Sequence, residues 1–290
     1  MTSGVLSLTM RERLRAMRYA LAENPVNLLA FALFGLLVLA ALFGPLLAPH
    51  DPLATNASDA LQAPSARYWF GTDQLGRDVF SRVLVATRLD LGIALGAVLI
   101  SCAVGSAIGA VIGYFGGALD ATASRVVDVL MAFPLFVLAM ALVAALGNTV
   151  MNVIYATAIV NLPFYIRLAR AEVNVRRNLG YVEAARVGGS SHARILLVFL
   201  LPNILSPLVI QASVNLGWAV LNAAGLSFLG LGVRPPTPEW GIMVADGARF
   251  IASGEWWIAL FPGLTLMTAV FAFNLLGDAL RDMLDPRMRT

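Results

Sequence analysis

The chain has 290 residues, is 59% hydrophobic and only 13% charged, and carries a formal net charge of +3, more apolar surface than a soluble domain needs and enough for several spanning runs of ~20 residues. All twenty basic residues are arginine, so the chain holds no phosphate-binding loop, which requires the lysine of GxxxxGK[ST], and no Schiff-base lysine. A small positive charge on such a chain is explained by membrane topology, not by nucleic acid.

Arg11, Arg13, Arg15 and Arg18 precede an apolar segment at 27–48. That segment is longer than the apolar region of a signal peptide, so it reads as a retained first span with its arginines in the cytoplasm. Further spans are expected at 89–113, 124–146, 150–170, 200–224 and 258–280, each of about 20–25 residues. The fourth is interrupted by Asn152, Asn161, Pro163 and Arg167. With the N-terminus inside, Arg67, Arg77, Arg82, Arg88, Arg234 and Arg249 fall outside and the other fourteen arginines inside. The split fits six spans with both termini cytoplasmic. The expected fold is therefore an all-α membrane protein.

Between the first two spans, 49–85 is polar and rich in turn formers. Its Asp73, Arg77, Asp78 and Arg82 form a charge cluster with two readings: a contact for a binding protein or sister subunit, or a salt-bridged frame. Cys102 lies in an apolar run and reads as a small buried hydrophobe; a single cysteine makes no intrachain disulfide. His50 and His192 suggest no metal-ligand motif. No Ser/His or paired-Asp arrangement suited to catalysis falls within the spans, so no catalytic residue is expected.

Glu172–Ile195 carries Arg176, Arg177, Arg186 and Arg194. Each would cost about 2.5–3.5 kcal/mol at the bilayer centre, so the stretch stays in the cytoplasm. It is helical in pattern on both sides of Gly188–Gly189, with Ser190 or Ser191 available to cap the second piece. Ala184 and Ala185 give the first piece a small face, flanked by Glu183 and Arg186, that suits a groove in another protein. The alternative is an ordinary cytoplasmic loop. In the fifth span Gln211, Asn215, Trp218 and Asn222 share one face at helical spacing. They line a translocation path or bond neighbouring helices. Residues 233–257 begin with prolines that forbid helix continuation and end in Trp256 and Trp257, suited to the membrane interface. Asp278, Arg281, Asp282 and Asp285 read as a solvated cytoplasmic end.

The spacing of Glu183, Ala184 and Ala185, then Gly189, then Phe199, Leu201 and Pro202, resembles the EAA loop of permease subunits of bacterial ATP-binding-cassette importers. The one departure is Phe199, where that family has isoleucine. Gly71–Asp78 (GTDQLGRD), Leu226–Gly232 (LSFLGLG) with Pro235–Gly241 (PPTPEWG), and Phe273–Asp278 (FNLLGD) are similar to segments of the C-type permeases of dipeptide and oligopeptide systems. That permease type also serves nickel, glutathione and some sugar-derivative importers.

The resemblance implies a type I importer permease in the bacterial inner membrane, with residues 1–86 as an N-terminal segment, span and loop, 87–290 as the permease core, and the coupling loop at 172–196. It implies that Glu183, Ala184, Ala185, Arg186 and Gly189 couple the chain to a separate ATPase, which binds ATP and Mg²⁺; no cofactor is expected in this chain. Implied partners are a second homologous permease, one or two ATPase subunits, a periplasmic or lipid-anchored substrate-binding protein, and membrane lipids. A secondary transporter or channel is the competing reading. It would favour ionisable residues in mid-span or repeated halves, and neither is evident.

Overall fold

The computed structural model describes residues 25–284, as helices joined by loops with one isolated bridge between Thr72 and Asp78. Arg11, Arg13, Arg15, Arg18, Asp285, Arg287 and Arg289 lie outside the described residues. The helices are α1 (Pro25–Leu47), α2 (Val79–Phe115), α3 (Gly117–Ala132), α4 (Leu135–Leu146), α5 (Val150–Arg176), α6 (Gly180–Val187), α7 (Leu201–Phe228), α8 (Trp240–Ala248) and α9 (Trp257–Leu284). A turn at His192–Arg194 and a π-helical stretch, Ile195–Leu200, lead directly into α7.

Among the described residues, five helical segments are long and apolar enough to cross a membrane: α1, α2, α5, His192–Phe228 and Trp257–Met283. A sixth exists only if α3 and α4, bent by 91° at their junction, count as one. The expected continuous span at 124–146 is therefore two helices. Pro134 causes the break: it has no N–H to donate, and its ring pushes Phe133 into extended backbone at φ −81°, ψ 142°. Pro163 has no such effect, and α5 runs unbroken from Val150 through Asn161, Pro163 and Arg167 to Arg176. Within a packed membrane bundle neighbouring groups can satisfy the carbonyl that proline frees.

The most extensive helix packing is α2 against α5. Gly105, Gly109 and Gly113 recur every fourth residue on one face of α2. A Cβ on Gly109 would sit 2.4 Å from the Ile166 carbonyl oxygen, and one on Gly113 2.8 Å from that of Arg170. The two backbones thus touch, as small residues allow in membranes, where dispersion packing replaces the hydrophobic drive. α9 packs on α7, with Phe273 edge-on to Phe34 of α1 at 6.0 Å. One apolar core continues from Trp240 and Val83 at one end, through Tyr165 and Ile204, to Val182 and Ile195 at the other. Outward faces carry exposed leucines such as Leu36, Leu42 and Leu99, which suit lipid.

The end opposite α6 is closed by a cap of buried polar bonds. Asp78 caps α2 through Ser81 N at 3.1 Å and also accepts from the Ser81 hydroxyl at 2.6 Å. Asp73 accepts from Arg77 Nε at 2.7 Å and lies 3.7 Å from Arg82 Nε, with all three side chains buried. Arg82 Nη1 donates to the Pro52 and Pro236 carbonyls, tying two distant loops to α2. The charge cluster read from the sequence is thus a frame rather than an open contact surface.

The arginine-rich hairpin as candidate functional site

The hairpin is held where α5 outruns α2. Arg177 Nη1 donates to the Gly113 and Tyr114 carbonyls at 2.9 and 3.4 Å, satisfying acceptors that the end of α2 leaves open. Arg170 pairs with Asp120 of α3, and Arg176 with Glu172 one turn back on α5. The chain then turns and α6 begins.

On α6, Val182 is fully buried and Ala185 half-buried, and both join the core that contains Ile195. Glu183, Ala184, Arg186 and Val187 are exposed, Val187 at 91%. Glu183 lies in the first turn, where the helix dipole favours a carboxylate. Its side chain has no hydrogen bond or ion pair among the described residues. α6 therefore buries one edge and presents a small, acid-tipped face outward.

The helix stops on a glycine C-cap. Gly188, Gly189 and Ser190 donate to the carbonyls of Ala184, Arg186 and Ala185 at 2.9, 3.0 and 3.0 Å. Gly189 sits at φ +75°, and no atom lies within 4 Å of where its Cβ would be. Glycine is needed there for backbone conformation, not for room. Ser191 then caps the next turn by accepting from Arg194 N at 3.3 Å.

A second anchor was not legible in the sequence. The Tyr114 hydroxyl and His192 Nδ1 are hydrogen-bonded at 2.8 Å, joining the end of α2 to the far arm of the hairpin. The Arg186 guanidinium lies over the Tyr114 ring, 5.3 Å from its centroid, and Phe115 packs on His192. Of the hairpin residues singled out from sequence, Glu183, Ala184, Ala185 and Arg186 share α6, and Gly189 forms its exit.

The row on α7 faces inward along the seam with α5. Asn215 and Asn222 are buried, Gln211 and Trp218 half-buried. Gln211 Nε2 donates to Asn215 Oδ1 at 2.9 Å, and Thr157 Oγ1 to Asn222 Oδ1 at 3.3 Å. Both side-chain polar atoms of Asn161 are buried without a protein partner, and Tyr165 of α5 faces Asn215 of α7.

Residues 233–257, which begin with prolines, contain the helix α8. Glu239 caps α8 by accepting from Gly241 N and Ile242 N at 3.0 and 2.7 Å. Trp240 Nε1 donates to the Val83 carbonyl at 3.0 Å, and its backbone N–H to Asp90 at 3.1 Å. Burial raises the Glu239 carboxyl above its ordinary range, opposed by the two N–H groups that favour its ionised form.

Residues 105–290 match the family model described as binding-protein-dependent transport system inner membrane component, which covers α5, the hairpin, α7 and α9. The chain belongs to that family. The permease also matches, over residues 13–64, the N-terminal transmembrane domain of oligopeptide transport permease C. It is 42% identical to a dipeptide transport system permease protein of Alkalihalophilus pseudofirmus over 93% of this chain and 88% of the relative. Against a dipeptide transport system permease protein of Haemophilus influenzae it is 34% identical over the full length of both. A glutathione transport system permease protein of Escherichia coli is 44% identical over 88% of this chain and 84% of its own. The permease is a multi-pass protein of the bacterial inner membrane and the transmembrane subunit of an ATP-binding-cassette importer.

Proposed function

We propose that this permease forms half of a translocation path for di- or oligopeptides, or a similarly small solute, and that residues 172–196 couple it to a separate ATPase. The observation that carries this reading is the two-sidedness of α6. Val182 and the Tyr114–His192 bond root the hairpin in the spanning helices, while Glu183, Ala184 and Val187 stand free. A lever needs both a root and a free face. Ala185 fixes the lever to the core, Arg186 braces it on Tyr114, and Gly189 sets the exit direction. ATP and Mg²⁺ would be held by the ATPase, and the absence of lysine in this chain agrees with a motor on another polypeptide.

In this proposal α3 and α4 count as one bent span, giving six spans with both termini cytoplasmic. Residues 1–86 precede a permease core at 87–290. The partners are a second permease, one or two ATPase subunits and a periplasmic or lipid-anchored substrate-binding protein. Peptide as cargo is supported by the names of the dipeptide relatives, and the glutathione relative keeps the class broad. Gln211, Asn215, Trp218 and Asn222 are proposed to border the path. The unpartnered polar atoms of Asn161, on the α5 side of the same seam, support this, since buried polar groups ordinarily find a partner.

The test is co-purification with the ATPase subunits, together with ATP-dependent uptake of dipeptides, longer peptides and nickel. Glu183→Lys and Gly189→Arg are expected to lose both assembly and uptake. If both survive these changes, the docking role is wrong.

A further inference from the structure

A cavity of about 330 Å³ opens between α2, α3 and α5, within the size range of small-molecule sites. Its floor is apolar, formed by the buried side chains of Ile112, Val127 and Ile166. Its rim is charged, with Ser124, Asp128, Arg167 and Arg170. Arg167 Nη2 donates to Asp128 Oδ1 at 2.6 Å, and both side chains are 50% exposed.

The rim has unused bonding capacity. A guanidinium carries five N–H donors, and Asp128 takes one of those on Arg167. Arg170 gives Nε and Nη2 to Asp120, leaving Nη1 without a partner among the described residues, as is Asp128 Oδ2. Two cations and an anion with open positions, above an apolar floor, fit a ligand that carries both signs of charge.

Depth indicates where such a ligand comes from. Arg167 lies seventeen residues after Val150, the first residue of α5, or about 26 Å along the helix at 1.5 Å per residue. The hydrocarbon core is ~30 Å thick, so on the topology proposed above the cavity opens at the inner-leaflet headgroups. A half-exposed ion pair would be costly against acyl chains, whereas headgroups solvate it. On α3, which carries Asp128, Val126 and Val129 are exposed and apolar, as is Phe133 just beyond it, as expected of neighbours to lipid tails.

We propose that this cavity binds the zwitterionic headgroup of an inner-leaflet phospholipid with a primary ammonium. The phosphate bonds Arg167 and Arg170, and the ammonium bonds Asp128. Arginine's planar donor fork suits a phosphate, and a primary ammonium supplies N–H donors that a quaternary one lacks. The zwitterionic backbone of a peptide cargo offers the same pair of charges, so the experiment must separate the two sources.

The purified permease complex is equilibrated with vesicles of equal parts phosphatidylethanolamine, phosphatidylcholine and phosphatidylglycerol, and bound lipid is counted by native mass spectrometry. Preferential retention of phosphatidylethanolamine is expected. Arg167→Gln should lower it roughly tenfold, the scale of one lost charge-assisted hydrogen bond, and Asp128→Asn should shift preference toward phosphatidylglycerol. Leu36→Ala, on the exposed face of α1, should change nothing. If Arg167→Gln does not assemble, the Asp128→Asn shift carries the test. Equal retention of the three lipids, unchanged binding in the variants, or displacement of the lipid by a soluble zwitterionic dipeptide would overturn the proposal.

Discussion

The two ends of this permease are built on opposite principles. At the capped end the charges are inside: Asp73, Arg77, Arg82 and Asp78 are buried, and each is bonded to another group of the same chain. At the hairpin end the charges are outside: Glu183, Arg186 and Arg194 are exposed, and neither Glu183 nor Arg194 has a side-chain partner among the described residues. Buried pairs specify one geometry, because losing either partner strands the other in a poor dielectric. Exposed, unsatisfied groups specify nothing until a second molecule arrives. One end is a frame, and on the function proposed above the other is a face that docks into a partner.

The largest expected effect comes from breaking the frame. Asp73→Ala removes the shared partner of Arg77 and Arg82 and should cost about 3–5 kcal/mol, the usual penalty for a stranded buried charge. A thermal unfolding scan of the detergent-solubilised permease should show a sharply lowered midpoint. A smaller loss is expected at the hairpin exit. Gly189→Ala places a side chain at φ +75° in open space, so it should cost about 1–2 kcal/mol of local backbone strain and leave packing untouched. The sign to look for is faster local hydrogen exchange around 180–191 with an almost unchanged unfolding midpoint. Smallest is Tyr114→Phe, which deletes the bond to His192 and should cost about 0.5–1.5 kcal/mol. Its ring still stacks under Arg186, so ATPase binding should persist while ATP-driven uptake slows.

Much of this contrast could be read from the sequence, and the exceptions have physical causes. Long apolar runs located the spans at 27–48, 150–170, 200–224 and 258–280 to within several residues, but the second helix starts ten residues earlier than expected because Asp78 caps it inside a polar loop, and the third run is two helices. The break at Pro134 was hidden because apolar composition continues across it, whereas Pro163 looked disruptive and is absorbed by packing. Glycines at 105, 109 and 113 add little to a hydropathy run, yet they bring α2 and α5 into backbone contact. The EAA spacing marked α6 because that signal is local. Tyr114 and His192 are 78 residues apart, and nothing local links them. The α7 row was legible as one helix face, but not its direction, which is set by Thr157 and the rest of α5.

The central claim is that the free face of α6 meets the ATPase while the capped end does not. Two exposed positions test it: Val187 on α6, 91% exposed, and Trp69 in the cap, 59% exposed. A photo-crosslinking residue introduced singly at each site, in the assembled transporter in membranes, reports what lies against it. The account predicts ATPase subunits captured from position 187 and none from position 69. Capture of the ATPase from 69, or its absence from 187 in a complex still competent for uptake, would contradict it.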